Sequence, residues 1–261
     1  MKKYNAFILA GARAPWLLPL AGTEHLPLAY LAGRRLLDYI LTALRESGRI
    51  GKIVIAALPE VRKKLEGTLP DGVFLCAAQK DMPSTALAAA NALGAEGYEK
   101  LLSICIDIPL LTAAAVNFFL DECEKYPEKE AFYTIIPKEE CLAAFPEAKR
   151  TYVTLPEGTF TGGNMVLITY NAIATKQGKA QEIYARRKSP LGLCNWLGWF
   201  FILKFIFRRL TLGEIENRTT SLLGFACKAV ITPYAGVGMD IDKESDWLQI
   251  SAYLKKAPPA V

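Results

Sequence analysis

Residues 34–57, RRLLDYILTALRESGRIGKIVIAA, decide the fold. From Arg34 to Ser47 apolar residues recur at helical spacing, and the pattern stops near Gly48. From Lys52 to Ala57 the chain is a short continuous apolar run, the pattern of a strand covered on both faces. A helix feeding such a strand is half of a βαβ unit. The alternation continues outward. Apolar runs at Ala6–Ala10, Val73–Ala77 and Leu101–Ile106 read as further strands. Ser84–Leu93 reads as a helix opening after Pro83 and closing at Gly94, and Thr112 as the N-cap of a helix through Glu124. The first half is therefore a Rossmann-like layer. In the less regular second half, strands are expected at Ala131–Ile136, Tyr152–Leu155, Asn164–Ile168 and Cys227–Ile231. No repeat or low-complexity linker separates the halves. The expectation is one α/β domain over 1–261, three-layered and Rossmann-like, with a mixed, mostly parallel twisted sheet and a largely helical insertion at about 171–225.

Composition narrows the class. Apolar residues make up 52% of the chain and charged residues 22%, a globular balance. A net charge of +5 suits an anionic small-molecule substrate or contact with acidic lipid and does not demand nucleic acid. Cys76, Cys105, Cys123, Cys141, Cys194 and Cys227 lie far apart with no C-x-x-C pair, the distribution of reduced thiols in a cytoplasmic protein. His25 is the single histidine, so zinc sites and histidine-based triads lack their usual residues. The opening MKKYNAFILAGARAP has too short an apolar stretch for a signal peptide and reads as a strand running into a loop.

Residues 191–207, LGLCNWLGWFFILKFIF, are apolar on nearly every side of a helix and must be covered. The segment falls short of the roughly 20 residues a membrane span needs, and Asn195 and Lys204 interrupt it. The expected cover is the core or a subunit contact; the alternative is a membrane surface, with Arg208 and Arg209 at the helix edge.

Four places carry candidate chemistry. Leu9-Ala10-Gly11-Ala12-Arg13 follows the first strand, where glycine allows close approach of a phosphate, exposed amides can hold an anion, and Arg13 adds charge. A plain turn would have the same sequence. Asp107, in CIDIP, directly follows a buried strand, at the sheet edge where α/β proteins collect ligands, and is suited to a magnesium ion; the alternative, a cap for the following helix, competes with Thr112 at the expected cap position. Asp240 and Asp242, two apart in GMDID, share a face of an extended segment and could complete the metal site. They could equally cap a helix from Asp246 onward, with Asp242 or Ser245 as the cap. Gly162, Gly163 and Asn164, before an apolar strand, would let backbone approach a ligand, with Asn164 both donating and accepting hydrogen bonds, or they form a simple glycine-rich turn.

Taken in this order, LAGARAP, CIDIPLLT, TFTGGN and GMDIDKESDW resemble the MobA-like nucleotidyltransferases, relatives of the molybdenum cofactor guanylyltransferases with a GT-A-like fold. The resemblance runs over nearly the whole chain. It implies a nucleotidyltransferase that moves a nucleoside monophosphate from a nucleoside triphosphate to a phosphate or hydroxyl acceptor, with magnesium on Asp107 and triphosphate on the Gly11 loop. Ser84, in the Gln79–Thr85 loop, would contact the base, and Lys149, Arg150 and Gly162–Asn164 would face the small-molecule acceptor. Two departures stand out: Ala12 replaces the second loop glycine, and Leu26 stands roughly where a triphosphate-binding lysine is expected. Arg13, His25, Arg34 and Arg35 are the candidate substitutes. The departures leave room for a chain that binds nucleotide without catalysis, and the 191–207 segment for a transferase acting on a lipid-linked phosphate.

Overall fold

The computed structural model describes residues 1–186 and 199–256. Its sheet is centred on β1 (Tyr4–Ala10), whose side chains alternate between two apolar layers. Ala6, Ile8 and Ala10 enter one buried cluster and Phe7 the other. A small ribbon of β2 (Tyr30–Leu31) and β3 (Arg34–Arg35) pairs off to the side. β4 (Ile50–Ala57) lies parallel to β1 with Ile8 opposite Ile55, and β5 (Val73–Ala77) extends the sheet beyond it. β6 (Lys100–Cys105) flanks β1 on the other side, also parallel. β7 (Ala131–Pro137), β8 (Val153–Leu155), β9 (Gly158–Thr169) and β10 (Cys227–Ile231) complete an eight-stranded sheet in the order β10-β7-β9-β6-β1-β4-β5, with β8 paired to β9. β9 runs against β6, β7 and β8, and the remaining pairings are parallel. The sheet is mixed and mostly parallel, as the alternating pattern implies.

Helices cover both faces. α1 (Leu18–Ala21) is a single turn between β1 and β2. α2 (Leu36–Glu46) buries Leu36, Leu37, Ile40, Leu41 and Leu44 along one stripe. α3 (Pro59–Leu65) starts on a proline, whose missing amide costs nothing there. α4 (Met82–Ala92) opens earlier than expected, because Asp81 caps it by accepting from the Ser84 amide at 2.8 Å and Pro83 is tolerated in a first turn. α5 (Ala113–Glu124) begins after Thr112, whose hydroxyl accepts from the Ala115 amide at 3.2 Å. α2 and α5 share one apolar cluster; Ala89 and Ala90 of α4 lie in the other. The result is three layers.

After α6 (Lys138–Ala144) and the β8–β9 hairpin, the described residues before β10 include four helices: α7 (Tyr170–Thr175), α8 (Gln177–Arg186), α9 (Trp199–Ile206) and α10 (Leu212–Leu223). α11 (Glu244–Lys256) closes the described chain.

Four expectations are corrected. The TGGN residues are not a loop before a strand but the interior of β9, which begins at Gly158. A Cβ on Gly162 would strike the Tyr133 hydroxyl, and one on Gly163 the Thr134 hydroxyl, so these glycines let β9 lie against β7 side chains. The last helix starts at Glu244, and the carboxylate receiving the free amides of Asp242 and Lys243, at 3.1 and 3.2 Å, is Asp246 rather than Asp242 or Ser245. Finally, residues 191–198 lie outside the described residues, and the remainder of that segment is not fully covered. It is helical to Ile206, but Leu203, Ile206 and Phe207 are 40%, 62% and 69% exposed. Among the described residues no helix is long and apolar enough to cross a membrane.

Candidate active site

Four chain segments converge on the carboxyl edge of the sheet. β1 delivers Gly11, β6 delivers Asp107, and the reversed β9 brings its early residues Gly162–Asn164 to the same edge. The fourth segment, after β10, is held there by backbone, the Ile241 amide donating to the Asp107 carbonyl at 2.9 Å; the Ile106 amide, donating to the Leu9 carbonyl at 3.3 Å, ties the Asp107 segment to β1. The Ile241 staple carries Asp240 and Asp242 to Asp107. Ligand oxygens of the three carboxylates lie within 4.8 Å of one another.

The trio is strained electrostatically. The Asp107 Oδ1 atom is buried with no hydrogen-bond partner. Burial, and after it the neighbouring Asp242 charge, pushes its pKa up to about 6, while its own backbone hydrogen bond and Arg150 pull the other way. Arg150 is the counter-charge: it pairs with Asp240 and reaches the Gly162 carbonyl at 3.5 Å. One arginine against three carboxylates leaves excess negative charge, which suits a divalent cation with a hard oxygen donor set.

Glycine shapes the surround. A Cβ on Gly236 would come within 2.5 Å of the Leu110 carbonyl, and one on Gly238 within 2.9 Å of Ile136, so the turn carrying the acidic pair closes tightly over β7 and the Asp107 loop. Asn164 donates to the Val237 carbonyl at 3.4 Å, which ties β9 to that turn.

On the other side of Asp107, a Cβ on Gly11 would stand 2.6 Å from the Ala78 side chain, so the first loop presses against the segment after β5. Ala10 is buried and Leu9 partly so, leaving backbone as their contribution here, whereas Ala12 is exposed. Arg13 is not free. It pairs with Glu24 at 3.1 Å and Glu60 at 2.5 Å, and the buried His25 ring sits 3.9 and 3.8 Å from the same carboxylates. Beside this loop, Ser84 lies in the first turn of α4, and the capping Asp81 accepts a second bond, from Gln181 of α8, at 2.9 Å. Gln79 donates its amide to Thr85 at 2.9 Å, closing the same loop from within.

Glu24, Glu60 and Gln181 are not legible in the sequence. They reach the site from 11, 47 and 100 residues away from Arg13, Arg13 and Asp81, and no local spacing marks them.

The family model for the MobA-like NTP transferase domain matches residues 6–174. The chain belongs to that family. A hypothetical transferase structure from Thermus thermophilus is 34% identical to this MobA-like chain, with a TM-score of 0.77 over 94% of this chain and 99% of the other. The 4-diphosphocytidyl-2C-methyl-D-erythritol synthase of Anaerococcus prevotii superposes with a TM-score of 0.55 at 11% identity, covering 98% of this chain and 99% of its own. CMP:2-keto-3-deoxy-manno-octonic acid synthetase complexed with CTP does so at 0.59 and 10%, covering 97% and 98%. At those identities the likeness is one of fold, the GT-A-like arrangement. No curated protein matches the sequence. In this MobA-like domain Leu26, at the position expected for lysine, is 6% exposed and belongs to the core. Arg34 and Arg35 are bound to α2, the first through the Asp38 carbonyl at 2.8 Å and the second through the Asp38 carboxylate at 2.7 Å. Of the candidate replacement cations, Arg13 is the one on the glycine loop.

Proposed function

We propose that this domain is a cytoplasmic, magnesium-dependent nucleotidyltransferase that transfers a nucleoside monophosphate from a nucleoside triphosphate to a phosphate or hydroxyl acceptor and releases pyrophosphate. The observation that carries this reading is the carboxylate trio with its unpartnered Asp107 oxygen at the mouth of the Gly11 loop. Magnesium held by Asp107, Asp240 and Asp242 would supply positive charge to the phosphate oxygens. The chain itself positions. Amides of Gly11 and Ala12 face the leaving pyrophosphate, and Arg13 joins them by exchanging its glutamate partners for phosphate. Ser84 contacts the base from the start of α4. Arg150, bridging Asp240 and β9, orients the acceptor with Lys149. The acceptor oxygen attacks the α-phosphorus in line, the bond to the bridging oxygen breaks, and a hydroxyl acceptor gives its proton to water.

The 1–261 chain is read as one such domain, with 171–225 as its helical insertion. A second reading, nucleotide binding without turnover, is favoured by the buried Leu26 and the occupied Arg13. Pyrophosphate release and nucleotide binding, measured side by side with CTP, GTP, ATP and UTP, separate the two. Magnesium-dependent release that disappears in Asp107→Asn supports transfer; tight binding with no release from any triphosphate and acceptor overturns it.

A further inference from the structure

The surface formed by α9 and the turn after it joins exposed apolar side chains to two consecutive arginines. Leu203, Ile206 and Phe207 fall three and four residues apart on one helical face and stand exposed. The opposite side is occupied: Arg218 of α10 lies over the Phe201 ring at 6.0 Å, and Lys204 pairs with Glu214. Arg208 and Arg209 follow directly, both exposed. Arg208 adopts φ +52, in the left-handed region that favours glycine, so the chain keeps an arginine where backbone preference argues for none.

This tip is fixed to the active-site edge. Leu210, 2% exposed, pins its base, and the Leu212 amide donates to Glu157 in the β8–β9 hairpin at 2.9 Å. β9 then runs from Gly158 to Gly162, whose carbonyl meets Arg150, a span of about 13 Å at strand rise. A surface engaged by the tip therefore lies on the acceptor side of the site.

We propose that the Leu203–Arg209 tip docks on an anionic lipid surface and that the acceptor is a phosphate-bearing lipid presented from it. This rests on the transferase reading and names its substrate class. Charge chooses the occupant. A second copy of the tip would bring a second Arg208–Arg209 pair and no free opposite charge from beside it, because nearby Glu214 is already engaged by Lys204 and the Thr211 amide. An anionic bilayer instead offers apolar cover to Leu203, Ile206 and Phe207 and opposite charge to both arginines. An eight-residue helix, about 12 Å long, lies in such an interface and does not cross it.

The test is flotation of the full chain with phosphatidylcholine vesicles and with vesicles containing phosphatidylglycerol, at low and high salt. Binding to the anionic vesicles alone, weakened by salt and reduced roughly tenfold or more in both Ile206→Ser/Phe207→Ser and Arg208→Gln/Arg209→Gln, is the expected result. No flotation, or a dimer that the Ile206→Ser/Phe207→Ser change turns into monomer, overturns the proposal. Urea-melt midpoints without vesicles, unchanged by either double substitution, show that the variants fold. Pyrophosphate release from CTP, GTP, ATP or UTP with dispersed phosphatidic acid as acceptor is the result expected of a lipid acceptor; release with a soluble sugar phosphate and none with the phospholipid keeps the transferase reading and overturns the lipid one.

Discussion

Asp107→Asn should destroy metal binding and yet stabilise the metal-free protein. The carboxyl is raised from 3.8 to about 6, by burial first and by Asp242 second. An acid shifted upward is held more tightly as the protonated form in the folded chain than in the unfolded one. Its contribution to stability is therefore fully present below pH 4 and is lost as the pH rises through about 6. At pH 7.5 the ionised group costs the empty fold up to about 3 kcal/mol, an upper figure because the residue as a whole is only half-buried. Asparagine keeps the shape and carries no charge. In urea melts with chelator at pH 7.5, the variant should exceed the wild type by up to about 3 kcal/mol, and the gap should narrow toward pH 5. Magnesium should reverse the order. At a hundred times its dissociation constant it would stabilise the wild type by about 2.7 kcal/mol and leave the variant unchanged. A variant less stable than the wild type in chelator at pH 7.5, or one that gains as much from magnesium, would refute the assignment of Asp107 as a desolvated metal ligand.

Arg13→Ala should weaken triphosphate binding by about tenfold and monophosphate binding much less, and Glu60→Gln, by leaving Arg13 with Glu24 as its one carboxylate partner, should tighten triphosphate binding a few-fold; equal effects on both nucleotides in titration calorimetry would count against this. Gly163→Ala should lose roughly 1–3 kcal/mol in denaturant melts, since its Cβ meets Thr134 and Ile136, whereas Gly178→Ala in α8, with nothing within 4 Å, should be neutral or stabilising. Gln181→Ala should raise the KM for nucleotide by about fivefold with kcat little changed, because it releases Asp81 at the head of α4; a fall in kcat alone would contradict a positioning role.

The layered core was legible because its inner strands are buried on both faces, as Ile53–Ala57 of β4 shows. Val73–Ala77 is an equally continuous apolar run although, as the edge strand β5, it leaves Phe74 49% exposed; such runs have few readings once glycine, proline and an intervening amphipathic helix fix their ends. The N-caps at Thr112 and Asp81 show the limit. Thr112 stands alone before its helix and was unambiguous; Asp81 precedes a Met-Pro pair, and the proline masked a first turn that the Asp81 carboxylate stabilises. The sequence pattern marks only the later part of β9, Asn164–Ile168, for a related reason. Glycine pairs ordinarily signal turns, and only the packing of Tyr133 and Thr134 across the sheet explains why two of them sit in mid-strand.

The site divides along the same physical line. Asp107, Asp240 and Asp242 are marked by local pattern, a carboxylate at a strand end and a pair at spacing two, and the fold brings them to one place. What surrounds Arg13 is not local at all. Glu24 returns through the excursion between β1 and β2, and Glu60 arrives on the first turn of α3, so the charge state of the glycine loop is set by segments whose own sequences look like an ordinary loop and helix. A cation held between two carboxylates is not the same reagent as the lysine it would replace: any triphosphate must displace Glu24 and Glu60 from Arg13 before it gains the ion pair. On the proposed assignment, nucleotide affinity is a competition among three anions for one guanidinium, so removing the Glu24 or Glu60 charge should raise it while removing Arg13 lowers it.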